Sequence, residues 1–404
     1  MHVVRLTISD RLFERAANCV GFDFMAHPFW DKYLEYEERF EASSDRILAI
    51  LARIVDIPLY HFGRYHERFR LIAQSQPLSA AVSPELLAQF QAEIVAVTGP
   101  AVNIEPQLRA RVDAYHLQNY QKIQAETAER WNFEQLIKRP YFHVTELDEE
   151  QLTNWRKYLD YEESKGDYQR IVFLYERCLT TAAYYDEFWL RYARWMSAQP
   201  NKSEDVRNIY LRACIFAPIA RPTVRVQWAL LEEMSDRAEV AMAIYSSVLE
   251  TIPGNVDIIN AWANCVRRTN GLDAAKAIYH TQIASPTVPH QTKAVLVTEL
   301  ARLVWNSHQP GAAEEARQLY RNNQRTYQDS PVLWNSYLDF EISQPTEQEA
   351  HHARVKGVLD DIRKSKLQAS VIKELAHTYM TYLLAQGTKD VAKEYLALDK
   401  EVNG

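Results

Sequence analysis

The run Trp155-Arg156-Lys157-Tyr158-Leu159-Asp160-Tyr161-Glu162 decides the fold. Trp155, Tyr158, Leu159 and Glu162 stand at i, i+3, i+4 and i+7, which is one face of a helix. The figure recurs at Trp30-Asp31-Lys32-Tyr33-Leu34-Glu35-Tyr36-Glu37 and at Trp334-Asn335-Ser336-Tyr337-Leu338-Asp339-Phe340-Glu341. A looser copy is Trp189-Leu190-Arg191-Tyr192-Ala193-Arg194-Trp195. Trp155, Trp189, Trp228 and Trp262 are 34, 39 and 34 residues apart, and Trp334 follows after two steps of 36. The skipped position is Thr298, inside the helical pattern 295–304. A period of this length is the mark of a solenoid.

A second helix follows each first one. It reads Arg170-Ile171-Val172-Phe173-Leu174-Tyr175-Glu176-Arg177-Cys178-Leu179 and recurs around Tyr210, Tyr245, Tyr279 and Tyr320. The first four tyrosines are spaced 35, 35 and 34. Pro218, Pro253, Pro289 and Pro331 mark where one pair hands over to the next, because proline cannot continue a helix. One helical hairpin has two apolar faces and buries only one alone, so hairpins must stack. The repeat-core residues are therefore Trp30, Trp155, Trp189, Trp228, Trp262 and Trp334 with Tyr175, Tyr210, Tyr245 and Tyr279. The glutamate closing the first helix and the arginine near the tyrosine are placed either to pair between helices or to stay solvated.

Composition agrees. Of 404 residues 47% are apolar and 25% charged, as in ordinary globular chains. Ten glycines compare with roughly 28 at average usage. That scarcity argues against Gly-rich phosphate loops and tight hairpins. No apolar run approaches the ~20 residues of a membrane span, and no signal peptide is recognisable. Cys19, Cys178, Cys214 and Cys265 are widely separated, which excludes a zinc ribbon and favours buried reduced thiols. A net charge of −7 leaves no global basic footprint, so any nucleic-acid contact must be a local patch.

Residues 70–113 break the period. Gln74–Pro84 reads as a loop and Pro84–Val97 as a helix capped by Ser83 and stopped by Thr98-Gly99-Pro100. Arg109–Arg130 reads as one long polar helix. The expected organisation is an N-terminal repeat arm (1–69), a helical connector (70–140) and a C-terminal repeat arm (141–404). Leu12–Ala16 resembles a second helix without its first. The start therefore reads as a truncated solenoid, with an unusual cap from residues 1–10 as the alternative.

The repeat resembles the HAT (half-a-TPR) unit of RNA-processing proteins over about 29–69 and 141–400, with Trp, Tyr and Glu where tetratricopeptide units carry small residues. The units at 294–321 and 371–395 lack the tryptophan. Two stretches are more specific: Phe24–Glu37, and Ile137-Lys138-Arg139-Pro140-Tyr141-Phe142-His143-Val144 ahead of Leu152 and Trp155. They resemble the pre-mRNA-processing factor 39 family. The resemblance implies an all-α solenoid of HAT repeats in two arms. It also implies a non-catalytic, nuclear scaffold that holds proteins of the U1 small nuclear ribonucleoprotein, and a dimer with itself or a paralogue through the C-terminal arm. The alternatives are a HAT scaffold of another machine (mRNA 3′-end cleavage or ribosomal-RNA processing) and a direct RNA-binding solenoid.

No catalytic, cofactor or metal residue is expected. His351-His352 is the one histidine pair, and helical neighbours do not share a face. The adjacent carboxylates Glu37-Glu38, Glu149-Glu150, Glu162-Glu163 and Glu232-Glu233 read as solvated faces. Arg317, Arg321 and Arg325 are spaced as one helical stripe for RNA phosphates or an acidic partner. Arg64/Arg68/Arg70, Arg267-Arg268 and Arg363-Lys364/Lys366 are further basic groups. Leu375, Tyr379, Tyr382, Leu383 and Tyr395 read as an uncovered terminal patch, the expected centre of a dimer interface spanning about 332–400.

Overall fold

A computed structural model describes residues 8–40, 44–98, 103–345, 348–386 and 389–403. Among these residues there are 21 helices and no strand. Gly99 and Pro100, expected to stop a helix, and most of the expected cap at residues 1–10 lie outside the described residues.

The chain divides into two compact units, Met1–Phe188 and Trp189–Gly404. The first holds α1 (Ile8–Val20), α2 (His27–Phe40), α3 (Ser44–Ile54), α4 (Phe62–Gln74), the single turn α5 (Leu78–Ala81), α6 (Pro84–Thr98), α7 (Glu105–Glu134), α8 (Glu149–Lys165) and α9 (Tyr168–Thr181). Helix α10 (Asp186–Ser197) crosses the boundary. The second unit continues with α11 (Ser203–Phe216), α12 (Thr223–Met234), α13 (Ala238–Thr251), α14 (Val256–Asn270), α15 (Leu272–Ala284), α16 (His290–Trp305), α17 (Ala312–Asn323), α18 (Pro331–Ile342), α19 (Gln348–Arg363), α20 (Ala369–Leu384) and α21 (Lys389–Asn403).

From α8 onward the helices alternate as the sequence period requires. Each tryptophan lies on an even-numbered helix and each tyrosine marker on the odd-numbered helix after it. Local chemistry sets the joints. Gly166 ends α8 in the left-handed region (φ 77°), and Asp167 then caps α9 by accepting from the Gln169 and Arg170 amides. Ser330 caps α18 with Pro331 as its first residue, where the missing N–H is not needed. Ser83 caps α6 through the Leu86 amide, as read from the sequence.

The first unit departs from a simple series of arms. Gln74–Pro84 is not wholly a loop, since α5 forms inside it. The 30-residue α7 packs its N-terminal half with α6, where Leu108 and Val112 join Phe90 and Ala81. Its C-terminal half returns to the first hairpin. The Trp131 ring stacks on Phe24 at 6.1 Å and approaches Tyr60 at 5.3 Å. Arg177 of α9 reaches Glu134 at 2.5 Å and Asp23 at 3.4 Å. The connector thus doubles back, and residues 23–60 meet residues 131–177 within one compact unit.

Candidate functional site

The repeat cores come first, because they set which side chains are left to face a partner. Trp30, Trp155, Trp189 and Trp334 are buried, as are Tyr175, Tyr210, Tyr245 and Tyr279. Trp228 and Trp262 are only half-buried. An arginine accounts for part of the contrast. Arg53, Arg177 and Arg212 lie over the rings of Trp30, Trp155 and Trp189 at 5.7, 5.9 and 5.5 Å. Arg177 and Arg212 stand two residues after the marker tyrosine. Ser247 and Thr281 occupy that place beside Trp228 and Trp262, and neither reaches far enough to cover an indole.

Buried ion pairs run between the stacked helices. Glu162 on α8 accepts from Arg130 on α7 at 2.7 and 3.0 Å, and lies 3.5 Å from Arg170 on α9. Glu341 on α18 accepts from Arg317 on α17 at 2.6 and 3.1 Å, with Arg354 of α19 at 3.8 Å. Glu232 on α12 takes Arg207 of α11 at 3.0 Å and Arg237 at 3.3 Å. Glu37 pairs with Arg46 at 2.9 Å. The solvated reading is thereby corrected for Glu37, Glu162 and Glu232, which are almost wholly buried. Each carboxylate closes its helix on the inner face, where an arginine of a neighbouring helix meets it. The same pairing holds the Arg130 guanidinium above its ordinary value, against the opposing effect of burial.

Two expected surfaces change accordingly. Arg317 is no part of an exposed stripe, because it is buried against Glu341 and Glu314. Helix α17 ends at Asn323, so Arg325 sits on the following turn and only Arg321 remains on the helix face. The terminal patch is also covered. Leu375, Tyr379, Tyr382 and Leu383 are buried in the core of the second unit, and Tyr395 is half-buried against it. Tyr379 donates to Glu394 of α21 at 2.8 Å, and His352 of α19 meets the same carboxylate at 2.9 Å. The last hairpin closes on itself because α20 is apolar on more than one face and takes α19 and α21 on two of them. Leu384 and Leu396 are what stays exposed there, at 68% and 66%.

Several of the other sequence candidates have local partners. Arg64 pairs with Asp31 at 2.5 Å, Arg68 pairs with Glu38, and Arg268 pairs with Glu233 at 2.5 Å. His351 is buried against the Glu341 carbonyl at 2.7 Å. Cys178 and Cys265 are buried, whereas Cys19 is exposed and Cys214 half-buried, which corrects the expectation of four buried thiols. Burial pushes the Cys265 thiol up to about 11, and the nearby Glu233 carboxylate adds to the effect. Among the described residues no group of three or more His, Cys, Asp or Glu is placed to hold a metal, and no helix is long and apolar enough to cross a membrane.

The Lys138–His143 run becomes an ordered, irregular loop with its aromatic side chains outward. Tyr141, Phe142 and Val144 are exposed. Gln151 holds the entry to the loop, donating to the Leu136 carbonyl at 2.5 Å and accepting from the Lys138 amide at 3.0 Å. Arg139 donates to Thr145 Oγ1 and to its carbonyl, and Phe142 meets Tyr184 edge-on at 5.4 Å. Nothing in the sequence pattern revealed that Gln151, itself buried, is the anchor of this loop.

The fold defines a HAT-repeat α-solenoid. The sequence matches the profile of the PRP39 N-terminal HAT repeat over residues 5–71 and that of the PRP39 C-terminal HAT repeat over 128–268. It is 46% identical to pre-mRNA-processing factor 39 of Schizosaccharomyces pombe, covering 97% of this chain and 68% of that protein. The chain belongs to the pre-mRNA-processing factor 39 family. It is also 24% identical to the U1 small nuclear ribonucleoprotein component PRP42 of Saccharomyces cerevisiae, over 55% of this chain and 42% of the other. A crystal structure of CstF-77 shares the fold, with a TM-score of 0.53 at 13% identity over 98% of this chain and 84% of that one.

Proposed function

We propose that this chain is a nuclear, non-catalytic scaffold of pre-mRNA splicing that holds proteins of the U1 small nuclear ribonucleoprotein during 5′ splice-site recognition. The observation that carries the reading is membership of the processing-factor family together with likeness to a named U1 component. The architecture supports it, because stacked hairpins expose a long surface on a rigid core. The repeat-based subdivision into an N-terminal arm (1–69), connector (70–140) and C-terminal arm (141–404) belongs to the same proposal. The loop around Tyr141 and Phe142 supplies one contact surface, since its hydrogen bonds order exposed aromatics before any partner arrives. Purification of the tagged chain from nuclear extract tests the reading. U1 RNA and its core proteins co-purify if it holds. Recovery of polyadenylation or nucleolar factors in their place overturns it.

Dimerisation with itself or a paralogue through the last repeats is part of this proposal. Exposed Leu384 and Leu396 support it, in place of the buried residues first considered. Light scattering at micromolar concentration gives a dimer mass that Leu384→Asp with Leu396→Asp converts to a monomer. A monomer in both samples overturns the dimer.

A further inference from the structure

Two basic groups far apart in sequence, Arg321/Arg325 and Lys364/Lys366, come together through hairpin stacking in the second unit. The Lys366 amide donates to the Gln328 carbonyl at 3.2 Å, which sets the turn after α19 beside the turn after α17. Between these helices and α18 lies a groove of about 550 Å³, lined by Arg321, Tyr337, Arg354, Gly357, Asp361 and Lys364 among others. Glu341 forms part of its wall, but Arg317 already offsets that charge. Arg321 reaches Glu314 only at 3.8 Å. The cations of the groove and its two bordering turns outnumber the remaining wall carboxylates, Asp360 and Asp361.

Gly357 is the second, independent observation. Among the described glycines it alone lies in the middle of a helix, in a chain that uses glycine sparingly. A mid-helix glycine lowers helix stability. Here no internal packing requires it, because a Cβ at this position would meet nothing within 4 Å. The missing side chain leaves the α19 backbone open on the groove, the use glycine has where another main chain must approach closely.

We propose that this groove binds an extended acidic peptide segment of a partner protein. Its carboxylates pair with Arg321 and Lys364 while its backbone lies against Gly357. Arginine suits this role because its planar fork takes a carboxylate through two hydrogen bonds. RNA fits the groove less well. Tyr337 is buried, so it offers no face for a base to stack on, whereas Asp360 and Asp361 can accept peptide N–H groups.

Fluorescence anisotropy on the full chain tests this, with a labelled glutamate-rich peptide and an oligouridylate of matched length. The peptide binds, and its affinity falls as salt rises. Arg321→Glu combined with Lys364→Glu, both at exposed positions, lowers that affinity about tenfold or more. Gly357→Leu blocks the groove and abolishes binding, whereas Gly357→Ala keeps the fold and raises the thermal midpoint. Tighter binding of the oligouridylate, no binding of the peptide, or undiminished binding by Gly357→Leu each overturns the proposal. None of these readouts depends on association with the U1 particle.

Discussion

Trp155 and Trp262 occupy the same place in two copies of one repeat, yet the first is buried and the second half-exposed. Around Trp155, Arg177 lies over the ring, Glu162 closes the helix end between Arg130 and Arg170, and Phe133 stacks on Tyr158 at 4.9 Å. Around Trp262 there is no arginine at the lid position, and Thr269 stands where Glu162 does in the other copy. Helices α12 to α15 pack through small residues, Ala229, Ala241, Ala263 and Ala275, all fully buried, with Arg268 of α14 paired to Glu233 of α12 toward the surface. The first repeat thus buries its tryptophan under an arginine and closes its helix with a buried ion pair; the second relies on buried small residues and a more exposed pair. The period alone does not distinguish them.

Substitution of the tryptophans gives the largest expected difference. Trp155→Ala lowers stability by about 3–5 kcal/mol, whereas Trp262→Ala, with less surface to lose, costs less than half as much. Chemical denaturation of the two variants measures this. Equal losses would mean that the arginine lid has no part in the packing. The ion pairs come next. Glu162→Ala strips the buried Arg130 of two charged hydrogen bonds, leaving Glu126 at 3.0 Å as its remaining carboxylate, and costs about 1.5–3 kcal/mol, while replacing Arg130 and Glu162 together by Met and Leu costs less. A double variant as unstable as the single one would show that packing, not charge, sets the loss. Installing the missing lid is a smaller effect. Ser247→Arg brings a guanidinium to the half-buried Trp228 and adds up to about 1 kcal/mol, read as a raised thermal midpoint with a blue-shifted tryptophan emission.

The smallest effect separates the two compact units by pH. Burial lowers the pKa of His27, His66 and His116, all in the first unit. The charges of His61 and Arg64 add to this for His27, and that of Arg70 for His66; Asp31 opposes it at His27. A histidine with a depressed folded pKa contributes stability above its unfolded pKa of about 6.5 and loses it as pH falls toward the folded value. The first unit therefore weakens on acidification from neutral pH to about 5. Hydrogen exchange, corrected for intrinsic rates, shows faster opening there than in residues 189–404. Uniform change across both units would remove the histidines as its cause.

The repeat was legible because Trp, Tyr and Glu recur at helical spacing, and because Pro218, Pro253, Pro289 and Pro331 punctuate the helices through local chemistry. Helical period and capping are properties of a few consecutive residues, so they are written in the chain. The Lys138–His143 run was likewise readable as a marker, though not the Gln151 anchor that orders it. The arginine stripe was misread for a definite reason. Spacing puts Arg317, Arg321 and Arg325 on one side, but Glu341 meets Arg317 and α17 ends at Asn323 before Arg325. The terminal patch failed in the same way: the residues were apolar as read, and α19 and α21 cover them. Periodicity decides which side chains share a face. What that face meets, including a basic groove assembled from turns about 40 residues apart, depends on how hairpins stack, and only the tertiary structure decides it.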